Sequence, residues 1–208
     1  MRGFSRRDFA AGWDSGIRLY QHLSDGRDLF EALPEADSMP DDEGDAYYAD
    51  TVFEYARYYG FDVTHSYTEP VITTGDRIFH PLRSIGDSMR NASARRQFEQ
   101  QARQMDRESA PRWREFLPVR TVLAPERILC NVDGEWLSFW FADTTHIGID
   151  LSDWSLGFGF EEGSPLQLRG PDIPWYTLAI GYLTNGPNSL ALPELAPLAE
   201  SAAMPAVN

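Results

Sequence analysis

The sequence predicts an α+β protein with a helical N-terminal half, an antiparallel β-meander of five or six strands, and a flexible C-terminal tail. Three patterns indicate this. Apolar residues near the N-terminus recur at helical spacing, and short β-branched and aromatic runs follow one another from Val119. The chain after Leu183 is rich in Pro, Ala and Ser and has no periodic apolar face. The predicted regions are therefore a mainly helical one over 1–117, a β region over 118–185 that shares its domain, and a tail over 186–208.

The first helix is predicted from residue 6 onward. Ser5 followed by Asp8 is the pattern of a capping box, with Asp in place of Glu. Gly12 and Gly16 weaken the helix, so we expect another element to pack closely against them. One face of the helix carries four large apolar side chains, at spacings of four, four and three: Phe9, Trp13, Ile17 and Tyr20.

Further helices are expected in the rest of the N-terminal half. A short helix is predicted over 27–33, ended by Pro34, and another over 45–59, where apolar residues again return at helical spacing. A third, rich in arginine, is predicted over 82–115. Residues 35–46, with six acidic side chains and little apolar content, predict a solvated loop.

Short strands are predicted after residue 118. The runs are VRTVLA, RILCNV, EWLSFWFA, THIGIDL and WSLGFGF, with IPWYTLAIGYL as a sixth strand. Asp133-Gly134 lies between the second and third runs and is a typical two-residue hairpin turn. In WSLGFGF the large side chains share one face, and Ser155, Gly157 and Gly159 lie on the other, which invites close approach by another group.

Composition excludes several classes of protein. All 18 basic residues are arginine, so mechanisms that need a lysine Schiff base or a P-loop lysine are excluded. The single cysteine, Cys130, lies in a predicted buried strand and cannot form an internal disulfide. The net charge of −14 is distributed as −9 over 1–70, +4 over 71–127 and −9 over 128–208, which disfavours nucleic acid as a partner of the whole molecule.

Localisation is predicted to be cytoplasmic, or within an assembled particle. The pair Arg6-Arg7 resembles the start of a twin-arginine signal, but charged and polar residues interrupt the apolar segment that such a signal requires. No stretch of 18 apolar residues occurs, so no membrane span is expected.

Candidate chemical sites are weak. Asp143, His146 and Asp150 form a mixed His/Asp set that would suit a divalent cation, but no HxH, HExxH or HxxxH pair supports it. The only region that could attract an anion is the arginine-rich helix, through Arg95, Arg96, Arg103 and Arg107. No nucleophile elbow or dinucleotide-binding motif is present, and no cofactor is implied.

Three functions are compatible with these observations. The first is a non-enzymatic, acidic, cytosolic interaction protein of the inhibitor or immunity type, which binds a basic protein target. The second is a structural subunit of a multi-copy assembly such as a virion, with self-assembly as its interaction. The third is a small metal-dependent enzyme. For the first, the partner-binding residues are predicted to be Asp41, Asp42, Glu43, Asp45, Tyr47 and Tyr48, because acidic and aromatic side chains suit such an interface.

Overall fold

A computed structural model describes residues 3–32, 47–60 and 110–204. By its internal contacts the chain divides into two units, residues 1–58 with 113–208, and residues 59–112. The first unit carries the elements described below. They are helix α1 (Arg6–Ser24), strands β1 (Ala49–Tyr59), β2 (Arg112–Leu123), β3 (Arg127–Val132), β4 (Glu135–Trp140), β5 (Thr144–Asp150), β6 (Ser155–Phe160) and β7 (Leu166–Arg169), and helices α2 (Ile173–Asn185) and α3 (Ala196–Ala203).

The α+β class is confirmed, and over the described residues the sheet has seven strands rather than five or six. Its strand order is β4-β3-β2-β1-β7-β6-β5, with antiparallel neighbours. Four strands separate β4 from β6, which would place them about 24 Å apart in a flat sheet. The rings of Phe139 on β4 and Phe160 on β6 instead lie 5.9 Å apart, so the sheet is strongly curled.

The β3–β4 hairpin forms at the predicted turn. Val132 pairs with Glu135, and the two residues between them, Asp133 and Gly134, have φ values of 53° and 91°. Positive φ at both central positions is what a type I′ turn requires, and an Asp-Gly pair provides it at little cost. The predicted strands β2 to β6 are all present.

Helix α1 begins with the predicted capping box. The Ser5 hydroxyl accepts from the Asp8 N–H, and the Ser5 N–H donates to the Asp8 carboxylate at 2.7 Å. Gly12 lies against the carbonyl of Pro171, where a Cβ at position 12 would overlap the carbonyl oxygen. A Cβ at Gly16 would lie 2.7 Å from Cβ of Pro174. The two glycines therefore allow the close packing of α1 on the start of α2 that the sequence predicts.

The core lies on the concave face of the sheet, beneath the helices. Phe53 of β1 meets Tyr176 of α2 edge to face, with ring centroids 4.8 Å apart. The Tyr176 hydroxyl donates to the carbonyl of Thr121 on β2 at 3.2 Å. Leu195 and Leu198, near and within α3, are also buried. The helices and the sheet therefore share one core. Among the helices in the described ranges, none is long and apolar enough to cross a bilayer.

The prediction of a helix over 45–59 is wrong, because residues 49–59 form strand β1. Exposure alternates along it, as Val52 is 44% exposed and Phe53 is completely buried. The segment is rich in Thr, Val, Phe and Tyr, which favour strands, and the helical spacing of its apolar residues was coincidental. Among the described residues before β2, helix α1 and strand β1 are therefore both present. The predicted helix over 82–115 lies largely outside the described residues, but 112–115 belong to β2.

The predicted sixth strand is also wrong, because IPWYTLAIGYL lies within helix α2. Pro174 stands in its first turn, where proline is tolerated. A continuous apolar run of this length fits a helix that is buried on nearly all sides, and periodicity alone cannot distinguish the two. Strand β7, only four residues long, was not predicted.

The tail is not extended over its described part. Residues 186–195 form short 3₁₀ turns, and α3 follows at Ala196–Ala203. The isolated leucines explain this, because Leu195 and Leu198 are buried in the main core. The predicted acidic loop over 35–46 lies outside the described residues.

Candidate binding groove on the outer face of the sheet

A groove runs across the convex, outer face of the sheet at strands β5, β6 and β7. Its floor is set by the register of β5 and β6, in which Gly148 pairs with Gly157 and His146 pairs with Gly159. A Cβ at Gly148 would meet no atom within 4 Å, and one at Gly157 would meet only backbone carbonyls at 3.8 Å. The floor therefore consists of backbone that is open above.

Aromatic side chains form the walls. On one side the rings of Tyr58 and Trp113 pack edge to face at 5.4 Å, and Tyr58 is 40% exposed. The Tyr58 N–H donates to the carbonyl of Pro165, which brings that proline to the same wall. On the other side stands His146. The groove has a volume of about 290 Å³.

His146 owes its position to Gly159. Its imidazole occupies the space that a Cβ at position 159 would need. Thr145 Oγ1 lies 3.3 Å from Nδ1 of the same ring, within hydrogen-bonding distance. The ring is thus held over the sheet at one end of the groove.

The surroundings of the groove are acidic. The cross-strand row next to the glycine pair on the outer face consists of Asp150, Ser155, Arg169 and Glu54. Arg169 forms an ion pair with Asp153, and it is the only arginine in residues 128–208, which carry ten acidic residues. Arg169 is therefore paired, and the row next to the groove holds two carboxylates, Asp150 and Glu54, against this one arginine.

Asp150 is fixed in the turn that follows β5. Its Oδ1 accepts from the Ser152 hydroxyl at 2.6 Å and from the N–H groups of Ser152 and Asp153, both at 3.0 Å. The Ser152 hydroxyl bond, followed by the Asp153 N–H bond, holds the pKa of Asp150 below its ordinary value. Asp150 is therefore a charged turn residue at neutral pH.

The predicted metal set is not brought together. His146 and Asp150 lie four residues apart on one strand, about 13 Å along its axis. Asp143 lies in the 3₁₀ turn before β5. Within the described ranges, no three His, Cys, Asp or Glu side chains are close enough to hold a metal ion.

Of the predicted partner-binding residues, only Tyr47 and Tyr48 are described. Tyr47 packs against a small outer cluster of Val122, Ala124 and Leu129. The Tyr48 N–H donates to the carbonyl of Leu123, and the Tyr48 ring packs on Phe30. Both tyrosines thus have structural contacts. Asp41, Asp42, Glu43 and Asp45, and the arginines Arg95, Arg96, Arg103 and Arg107, lie outside the described residues.

Cys130 is buried on the concave face, as predicted. Burial raises the pKa of its thiol to about 12, so the reactive thiolate is not formed at neutral pH. The structure gives no support to a catalytic use of this residue.

The glycine face of β6 is evident in the sequence, but the groove is not. Pairing of THIGIDL with WSLGFGF as a hairpin would have placed Gly148 beside Gly157. Tyr58 and Trp113 could not be assigned, because β1 was predicted to be a helix and Trp113 was placed in another one. Comparisons with protein-family models, with curated proteins and with solved structures find no match to this chain.

Proposed function

We propose that this chain is a non-enzymatic acidic protein that binds a basic protein partner, and that the outer groove receives a ring-bearing side chain of that partner. One observation carries the proposal: a backbone floor at Gly148 and Gly157 lies between aromatic walls on an acidic surface. A floor without side chains lets a flat group approach the sheet closely. The aromatic walls supply large contact areas at low entropy cost.

The lining suits binding rather than catalysis. The described side chains that line the groove supply aromatic rings, apolar groups and one imidazole. Among these described residues none carries a carboxylate or a thiol, and the one hydroxyl is the Tyr58 phenol. Proline and aromatic residues are the protein groups that fit aromatic-lined grooves best. Arginines on either side of such a residue would meet Asp150 and its neighbours, which would accelerate association and make it sensitive to salt.

The acidic segment remains a second predicted contact. Asp41, Asp42, Glu43 and Asp45 would add long-range attraction for the same basic partner. Reversing these charges is expected to slow association and reduce its salt dependence, while the groove contributes mainly to the lifetime of the complex.

The test uses a variant that fills the floor without disturbing the fold. Gly157→Val places a side chain where the structure has room and where a β-branched residue is favourable in a strand. Gly3→Val is the control, because a Cβ there meets nothing within 4 Å and lies outside the groove. The probes are two peptides of equal length, one with Arg-Pro-Tyr repeats and one with Glu-Pro-Tyr repeats.

Binding is followed by NMR through the Trp113 indole resonance. We expect the basic peptide to shift it, the acidic peptide to have no effect, and Gly157→Val but not Gly3→Val to abolish the shift. Equal response to both peptides, or no effect of Gly157→Val, would contradict the proposal. If the wild type associates with itself and Gly157→Val prevents this, the groove instead binds a second copy of the chain. That result would favour the structural-subunit function.

A further inference from the structure

A second cavity, partly open to solvent, lies between the edge strand β5 and helix α2. Its volume is about 360 Å³, and it is more enclosed than the outer groove. Ile147 and Ile149 line it from the strand, and Phe141 and Leu192 from the flanking turns. Its lining is mixed, with apolar side chains beside hydroxyl, amide and imidazole groups, and its size falls within the range of small-molecule sites.

One hydroxyl in this cavity has no partner. Thr177 of α2 is only 2% exposed, lines the cavity, and its Oγ1 makes no hydrogen bond within the described parts of the chain. A threonine in a helix ordinarily donates to a carbonyl one turn earlier, as Thr184 does to Ile180 at 2.8 Å. A buried polar group without a partner is unfavourable unless a ligand or water supplies the bond.

Apart from His146, the remaining polar groups of the lining carry no charge. Thr144, Thr145, Thr184 and Asn185 contribute hydroxyls and one amide. Among the described residues that line the cavity, none is Asp, Glu or Arg, and His146 is the one titratable residue. Burial of an ion here would lack a compensating charge, which makes a charged ligand unfavourable.

We propose that this cavity binds a small uncharged molecule with an apolar body and one hydroxyl or carbonyl group, which forms a hydrogen bond with Thr177. The apolar body contacts Ile147 and Ile149, and the polar end reaches the buried hydroxyl. The site shares His146 with the groove, but Ile147, Ile149 and Thr177 do not line the groove, and the site does not depend on the proposed function.

Three probes of one shape test the chemistry: cyclohexanol, cyclohexylammonium and cyclohexanecarboxylate. Each is titrated into the full chain at neutral pH, with the methyl resonances of Ile147 and Ile149 as the readout. We expect saturable shifts with cyclohexanol and at least tenfold weaker binding of both ions. Equal response to the three probes, or no saturable response to cyclohexanol, would overturn the proposal.

Thr177→Val tests the hydrogen bond with little change of shape. It is expected to weaken cyclohexanol binding by about three- to tenfold, the loss of one hydrogen bond. Without the probe, the variant should unfold at a higher temperature than the wild type, since an unpartnered buried hydroxyl is removed. Thr121→Val, at a buried threonine outside the cavity, should leave cyclohexanol affinity unchanged. A lower unfolding temperature of Thr177→Val together with unchanged affinity would show that the hydroxyl is already satisfied and would refute the assignment.

Discussion

The imidazole of His146 covers Gly159 on the outer face of the sheet and occupies the space of the missing Cβ. The two residues are cross-strand partners. The His146 ring can therefore take this position only because residue 159 is glycine and has no Cβ. The contact defines one end of the groove. It also predicts that substitutions of the two residues will affect stability in a coupled way.

Gly159→Ala is expected to destabilise the wild type by about 0.5–1.5 kcal/mol, the cost of moving the exposed His146 ring away from its preferred rotamer. In a His146→Ala background the same change should cost close to nothing, because no ring remains to be displaced. Urea unfolding of the two single variants and the double variant measures this coupling. An equal cost of Gly159→Ala in both backgrounds would show that His146 does not lie over Gly159.

Cys130 is expected to be unreactive in the folded protein. Burial raises its thiol pKa to about 12, and the thiolate is the species that attacks a disulfide reagent. At pH about 8, a thiol reagent should therefore label the folded chain slowly, at the rate at which the structure around Cys130 opens. The same reagent should label the unfolded chain in urea rapidly. Since the chain has one cysteine, the unfolded protein is its own control. Rapid stoichiometric labelling in native buffer would contradict the buried position.

The capping box of α1 predicts a pH-dependent contribution to stability. Hydrogen bonds from the backbone N–H and the hydroxyl of Ser5 lower the pKa of Asp8. Because the folded pKa lies below the unfolded one, this stabilisation is fully present above the unfolded pKa and disappears as the pH falls through the folded pKa.

Asp8→Asn should therefore lower the urea midpoint near pH 7, and the difference from the wild type should shrink in strongly acidic buffer. Asp14→Asn, in the middle of the same helix, is the matched control. A difference for Asp8→Asn that does not change with pH would show that the carboxylate is not the capping group.

Tyr176→Phe tests the bond between α2 and the centre of the sheet. Removal of the hydroxyl deletes its bond to the Thr121 carbonyl while the ring keeps its contact with Phe53. The expected loss is about 1 kcal/mol in the free energy of unfolding. Tyr58→Phe, at an exposed tyrosine, should change it by much less. Equal effects of the two substitutions would indicate that the buried bond contributes little.

The parts of the fold that follow from local chemistry were predictable. The Ser5/Asp8 cap and the Asp133-Gly134 turn depend only on neighbouring residues, and both are present. Strand β1 and helix α2 were assigned to the wrong class because each is placed by distant partners: Tyr55 against Phe139 of β4, and Tyr176 against Phe53 and Thr121. The groove depends on β1 and β5 at once, so its walls could not be assembled before the strand order was known.

Gly12→Ala reverses the usual sign of a glycine substitution in a helix. Alanine in a helix interior normally stabilises by about 1 kcal/mol relative to glycine. At position 12, however, the added methyl would overlap the Pro171 carbonyl, which belongs to backbone and cannot rotate away. Thermal unfolding should therefore show a net destabilisation, as α1 is pushed from the start of α2. Gly3→Ala, where the methyl meets nothing, should be close to neutral. A stabilised Gly12→Ala variant would mean that α1 does not pack this closely on α2, and the shared core beneath the helices would have to be arranged differently.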